Sequence, residues 1–218
     1  MRFYGAALVL AVAGTVRPAA GDEWPAARVK EVFSPSRNYF VRVTPGKSLG
    51  DTVGFRGAPK GPYATAEFYH QEPDRSYRLG ATAPLLNPIA PVDFLVTDRG
   101  VLITFDNWHN LGYGKIVAFY TPLGKLIRAY ELADLFTAGE IERFDHSVSS
   151  IAWHKRSAYL RPGGETVDVT VSDQGAGFIF ESDGAYQYCE NRGGTYRCRT
   201  SNQNRVWRAF QEPSARGN

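Results

Sequence analysis

The chain reads as an all-β protein built from repeated antiparallel hairpins, with one short helix. Two observations predict this. Short apolar-rich runs alternate along the chain with clusters of Gly, Pro, Asp and Asn, the punctuation of strands and turns. Only one stretch, Glu131–Phe144, places its apolar residues (Leu132, Leu135, Phe136) at helical spacing.

In order, Tyr39–Val43 is a strand after a Pro-Ser-Arg-Asn turn, and Ala64–Tyr69 is a second, alternating one. Gly46–Pro62 between them is rich in Gly and Pro and reads as a long surface loop. Ser76–Thr82 follows. Val92–Thr97 and Val101–Phe105 flank Asp98-Arg99-Gly100, and Lys115–Thr121 and Lys125–Tyr130 flank Pro122-Leu123-Gly124; both pairs are hairpins. After the helical patch come Ser149–Trp153 and Ala158–Leu160. Val167–Val171 and Gly177–Phe180 lie around Asp173-Gln174-Gly175. A hairpin about Gly193-Gly194, a strand over Asn204–Phe210 and a disordered polar tail, 211–218, complete the chain.

Val96–Asp106 aligns with Val171–Glu181: valine, aspartate, glycine and phenylalanine recur in place. Strand, Asp-x-Gly turn, strand, second turn, strand is how a β-propeller blade is written, and Pro91–Leu132 resembles one complete blade. The mature chain thus resembles a partial β-propeller of the kind found in exported bacterial proteins. A full ring takes at least ~4 blades, and two or three are legible, so open sheet edges are implied. A two-sheet sandwich or a partly open barrel produces similar text.

The first 21 residues are ordered as a secretory signal peptide. A short basic start carries Arg2, the uncharged apolar run Ala6–Val16 follows, and Ala19-Ala20-Gly21 supplies the small residues of a cleavage site. The apolar run is well short of the ~20 residues that span a bilayer, so cleavage after Gly21 is expected in place of an anchor. The expected domain is 22–210, periplasmic or secreted. The formal net charge is +3; removing Arg2 and Arg17 leaves +1, which gives no broad electrostatic reason to bind nucleic acid or a membrane surface.

The two cysteines, Cys189 and Cys198, frame the Gly193-Gly194 turn. Folding about that turn pairs Glu190 with Arg197 and Cys189 with Cys198. The cysteines meet at a non-hydrogen-bonded position, where side chains are closest. A cross-strand disulfide is the expectation in an oxidising compartment.

The most distinctive segment is Phe105–Lys115 (FDNWHNLGYGK). Trp108 and Tyr113 offer faces for stacking a sugar or peptide, and Asp106, Asn107, His109 and Asn110 offer hydrogen-bonding groups. The same Asp, Asn and Gly residues also serve as turn formers, with Trp108 as a core plug. His109, His146 and His154, and more distantly His70, are candidate bases. No Gly-x-Ser-x-Gly elbow accompanies Ser149 or Ser150. His-x-His, His-Glu-x-x-His, an EF-hand loop and a Gly-rich phosphate loop are missing from the sequence, so no metal or cofactor is expected. The reading is an exported binding module that meets a cell-envelope polymer or a protein partner. The alternatives are a cell-envelope hydrolase using His109 or His146 with Asp106 or Asp145, and a structural subunit pairing through an open β edge.

Overall fold

The computed structural model describes residues 24–155, 158–171, 175–192 and 195–200. The expected signal segment 1–21, the expected strand 204–210 and the tail 211–218 lie outside the described residues. Four small antiparallel sheets account for nearly all the regular structure, and none of them closes into a barrel.

The first sheet is a meander of β1 (Lys30–Phe33), β2 (Tyr39–Thr44), β3 (Thr65–Gln71) and β4 (Tyr77–Pro84). The second is a meander of β5 (Pro91–Val96), β6 (Leu102–Asn107), β7 (Val117–Tyr120) and β8 (Leu126–Tyr130). Two single-turn helices, α1 (Leu132–Leu135) and α2 (Ala138–Ile141), lead to a two-stranded pair, β9 (Asp145–His146) and β10 (Ile151–Ala152). The last sheet is β11 (Ala158–Leu160), β12 (Val167–Thr170), β13 (Gly177–Phe180), β14 (Tyr186–Arg192) and β15 (Thr195–Thr200), paired in that order.

The helical patch splits at Thr137. Its hydroxyl accepts from the Glu140 backbone N–H, while the Glu140 carboxylate accepts from the Thr137 N–H. This capping box starts a second helix where the first would have continued. The strand β1 has no apolar alternation to announce it; it is held by its ladder with β2, by Phe33 against Phe40 and Tyr77, and by the charge pairs Lys30–Asp93 and Glu31–Arg42.

The second sheet is covered on both faces, which explains why all of β6 and β7 is buried. Side chains alternate in direction along a strand, and the alternation divides two cores. Leu102, Ala118 and Tyr120 face Val41, Ala66 and Phe68 of the first sheet. Ile103, Phe105, Val117 and Phe119 face Val167, Val169, Phe178 and Phe180 of the last. Burial of each of the valine, leucine, isoleucine and phenylalanine side chains contributes roughly 2 kcal/mol.

The sheets repeat through two series of turns. In the first series the Ser34, Thr97 and Arg161 N–H groups donate to the carbonyls of Tyr39, Val101 and Thr166. In the second the Glu72, Thr121 and Glu181 N–H groups donate to Ser76, Lys125 and Ala185. In every turn the fourth residue donates back to the first and has positive φ: Arg37 (61°), Gly100 (76°) and Gly164 (67°), then Arg75 (67°), Gly124 (74°) and Gly184 (82°). The glycines are turned onto the preceding sheet. A Cβ on Gly100 would collide with Tyr39, on Gly164 with Asp98, on Gly124 with Ala83, and on Gly184 it would press on Arg128. Among the described residues no sheet precedes the first, and its two turns carry Arg37 and Arg75 at the equivalent positions. This geometry sets the repeat one strand away from the alignment by residue type: β5–β6 corresponds to β11–β12, not to β12–β13. Asp-x-Gly turns look alike wherever they occur, so composition alone does not fix the phase.

The C-terminal hairpin has the expected register, Glu190 opposite Arg197 and Cys189 opposite Cys198. The cysteines are joined, with Cα atoms 4.0 Å apart. Among the described residues no helix is long and apolar enough to cross a membrane.

Candidate functional site

The end of β6 and the loop after it contain bends that few side chains accept. Asp106 has φ +54° and His109 φ +74°, a left-handed backbone that costs most non-glycine residues but is tolerated best by Asp, Asn and His. The bend turns the Asp106 carboxylate inward, where the residue is only 1% exposed. Its Oδ1 accepts from the Trp153 indole N–H at 2.9 Å and from the Gly112 backbone N–H at 2.8 Å. Gly112 itself lies so close to Ile151 that a Cβ would collide with it.

Asp106 Oδ2 lies 2.8 Å from His154 Nε2, and His154 Nδ1 lies 2.8 Å from the Lys155 carbonyl. A carbonyl and a carboxylate both accept, so the site is built to take a proton on each ring nitrogen and favours the charged form of the ring. Burial alone would lower the His154 pKa; the hydrogen bond and charge of Asp106 outweigh it and hold the pKa above its ordinary value.

This pair lies at one wall of a cavity of about 890 Å³. Trp24 and Trp108 stand at the cavity with their rings edge to face, 5.5 Å apart. Lys30 and Asp93, 2.7 Å apart, also line it, as do Ser149 and Ser150. The charges there are thus arranged in pairs. The remaining lining, including Val92, Phe105 and Ile151, is apolar.

The structure distributes the loop residues between two roles. Asp106 and Trp108 line the cavity. Asn107 is buried: its Nδ2 donates to the carbonyls of Tyr113 and Lys115, and its Oδ1 accepts from Asn87. Asn110 is buried and donates to the carbonyls of Val53 and Ser149. His109 lies between the rings of Trp24 and Phe55, at 5.7 and 5.3 Å, and burial lowers its pKa. Tyr113 packs on the core between the second and last sheets. The loop therefore ties together residues 24–25, 53–55 and 149–154.

The partner of Asp106 is His154, not His109 or His146. His146 sits on β9 and donates from Nε2 to the Ile141 carbonyl, while Asp145 beside it is exposed. His70 belongs to a separate group with Glu72 and Arg78. Trp24, Lys30, Asp93 and Trp153 carry no local spacing that marks them as cavity residues; the Trp153-His154 dipeptide after a short strand is the only hint. Among the described residues no group of three or more His, Cys, Asp or Glu is placed to hold a metal ion.

No family model matches the chain, and no curated protein matches it. Among solved structures it is similar to the periplasmic gluconolactonase of Pseudomonas aeruginosa, with 13% identity and a TM-score of 0.40, over 78% of this chain and 56% of that one. The chain spans little more than half that protein's length.

Proposed function

We propose that this chain is an exported binding module that takes its ligand in the cavity beside Trp108. The disulfide between Cys189 and Cys198 supports export, because such bonds persist in oxidising compartments. The observation that carries binding over catalysis is the closure of the Asp106–His154 pair. A general base needs a nitrogen free to reach a hydroxyl. Both nitrogens of His154 are engaged by Asp106 and Lys155, and both oxygens of Asp106 are engaged as well. What remains for a ligand is an apolar cavity with indole rings and a few polar groups, the composition of a small-molecule or peptide site.

The test is a thermal-shift screen of the protein against neutral oligosaccharides and short peptides, with the Trp108→Ala/His109→Ala double variant beside it. At least one class raises the wild-type midpoint, and the double variant loses that shift. A variant that keeps every shift overturns the reading. The hydrolytic alternative is tested on chromogenic esters: turnover abolished by His154→Gln would replace binding with catalysis.

A further inference from the structure

Part of the cavity mouth is occupied by the chain itself. The Trp24 ring meets Trp108 edge to face and lies 5.7 Å from His109. Trp108 Nε1 donates to the Pro25 carbonyl at 3.0 Å. On the way to β1, Ala26, Arg28 and Val29 are exposed, so this segment is held at its aromatic end and not by packing along its length.

These are the contacts of a bound peptide: one aromatic side chain among rings, and one main-chain carbonyl accepting from an indole N–H. Aromatic-lined grooves take proline-containing segments in this manner, because proline fixes φ and lowers the cost of ordering. None of the contacts depends on the segment belonging to the same chain. The surroundings suit a neutral ligand, since Lys30 is paired with Asp93 and His154 with Asp106.

We propose that the ligand of this cavity is an extended peptide that presents an aromatic side chain followed by proline, and that Trp24-Pro25 is its intramolecular stand-in. The proposal rests on the reading of the cavity as a binding site. A tethered segment competes at an effective concentration on the order of millimolar, so an incoming peptide binds weakly until residues 24–25 are displaced.

The probe is a fluorescein-labelled peptide with the sequence of residues 22–29, followed by anisotropy against the full chain. Trp24→Ala is expected to bind it at least tenfold tighter than the wild type, and adding Trp108→Ala to that variant reverses the gain. A peptide with alanine in place of tryptophan does not bind. Trp24→Leu, which keeps apolar volume at the mouth, is measured in parallel, and the tenfold criterion applies to whichever variant retains a cooperative unfolding transition. If neither binds the peptide more tightly than the wild type, or if the alanine peptide binds equally well, the proposal is overturned. Uptake of a neutral tetrasaccharide without uptake of the peptide also overturns it while leaving the cavity a binding site. If the Trp24 variants take up neither probe and the wild type shows no shift in the wider screen, both readings fail.

Discussion

His154 places each ring nitrogen against an acceptor, Nε2 against the Asp106 carboxylate and Nδ1 against the Lys155 carbonyl, each at 2.8 Å. This one side chain pins the segment between β10 and β11 to the end of β6. The cavity lining thus includes a hydrogen-bonded pair between residues 48 apart in sequence.

The pair makes stability depend on pH in a definite direction. The folded-state pKa of His154 is raised. Its contribution is fully present below the unfolded value of about 6.5 and is lost as pH rises through the folded value. Melting curves between pH 5.5 and 9 will show the wild type most favoured over His154→Gln at the acid end, with the gap narrowing on the alkaline side. A gap that widens with pH would contradict the assignment.

Removing the carboxylate is costlier than removing the imidazole's charge. In Asp106→Asn the indole of Trp153, the Gly112 N–H and His154 all lose an anion at a site that is 1% exposed. Breaking a buried pair in this way costs about 3–5 kcal/mol. Urea denaturation will show the loss, and the indole resonance of Trp153 will shift in a variant that still folds.

The two turn series give opposite expectations for alanine and glycine. Gly124→Ala adds a Cβ against Ala83 at a left-handed φ and destabilises by about 2 kcal/mol. Arg75→Gly relieves the same backbone conformation; the left-handed penalty of about 1–2 kcal/mol exceeds glycine's entropic cost, so the change stabilises by about 0.5–1 kcal/mol. Paired denaturation curves test both signs at equivalent positions.

The disulfide closes a short loop, 9 residues in separation. Replacing Cys189 and Cys198 together by serine will cost about 2 kcal/mol, toward the low end for such bonds. A reducing agent will lower the wild-type midpoint to that of the double variant, and it will leave the double variant unchanged.

Asn110 clamps two backbone segments. Asn110→Ala removes the donor to Val53 and Ser149 and leaves those carbonyls short of a partner, a cost of about 1–2 kcal/mol. Hydrogen exchange will rise locally at residues 51–55 and 149–151, ahead of any change in the last sheet.

The hairpins, the Cys189–Cys198 register and the Pro91–Leu132 unit were legible because each depends on neighbours in sequence: period-two alternation, a Gly-Gly turn, a short loop. The strand β1 was illegible because Lys30–Phe33 shows no apolar alternation, and what holds it, the ladder with β2 and Phe33 against Phe40 and Tyr77, depends on residues further along the chain. The Asp106–His154 pair was illegible for a different reason. Asp106 is legible as a turn residue, but its partner depends on how the second and last sheets stack, and no spacing within either segment encodes that. The loop 105–115 stood out by composition; which of its side chains lie at the cavity and which fasten backbone was decided by the direction of each bend.

The glycines at 100, 124, 164 and 184 and the arginines at 37 and 75 give the stack a polarity. A sheet of this kind can nestle onto its predecessor only through two turns stripped of side chains at the point of approach, and the first sheet has side chains at both. A copy of the repeat fused ahead of β1 would be held off by those arginines, with its inner face wetted. Extending the array from that side therefore calls for glycine at 37 and 75 before it calls for any new core.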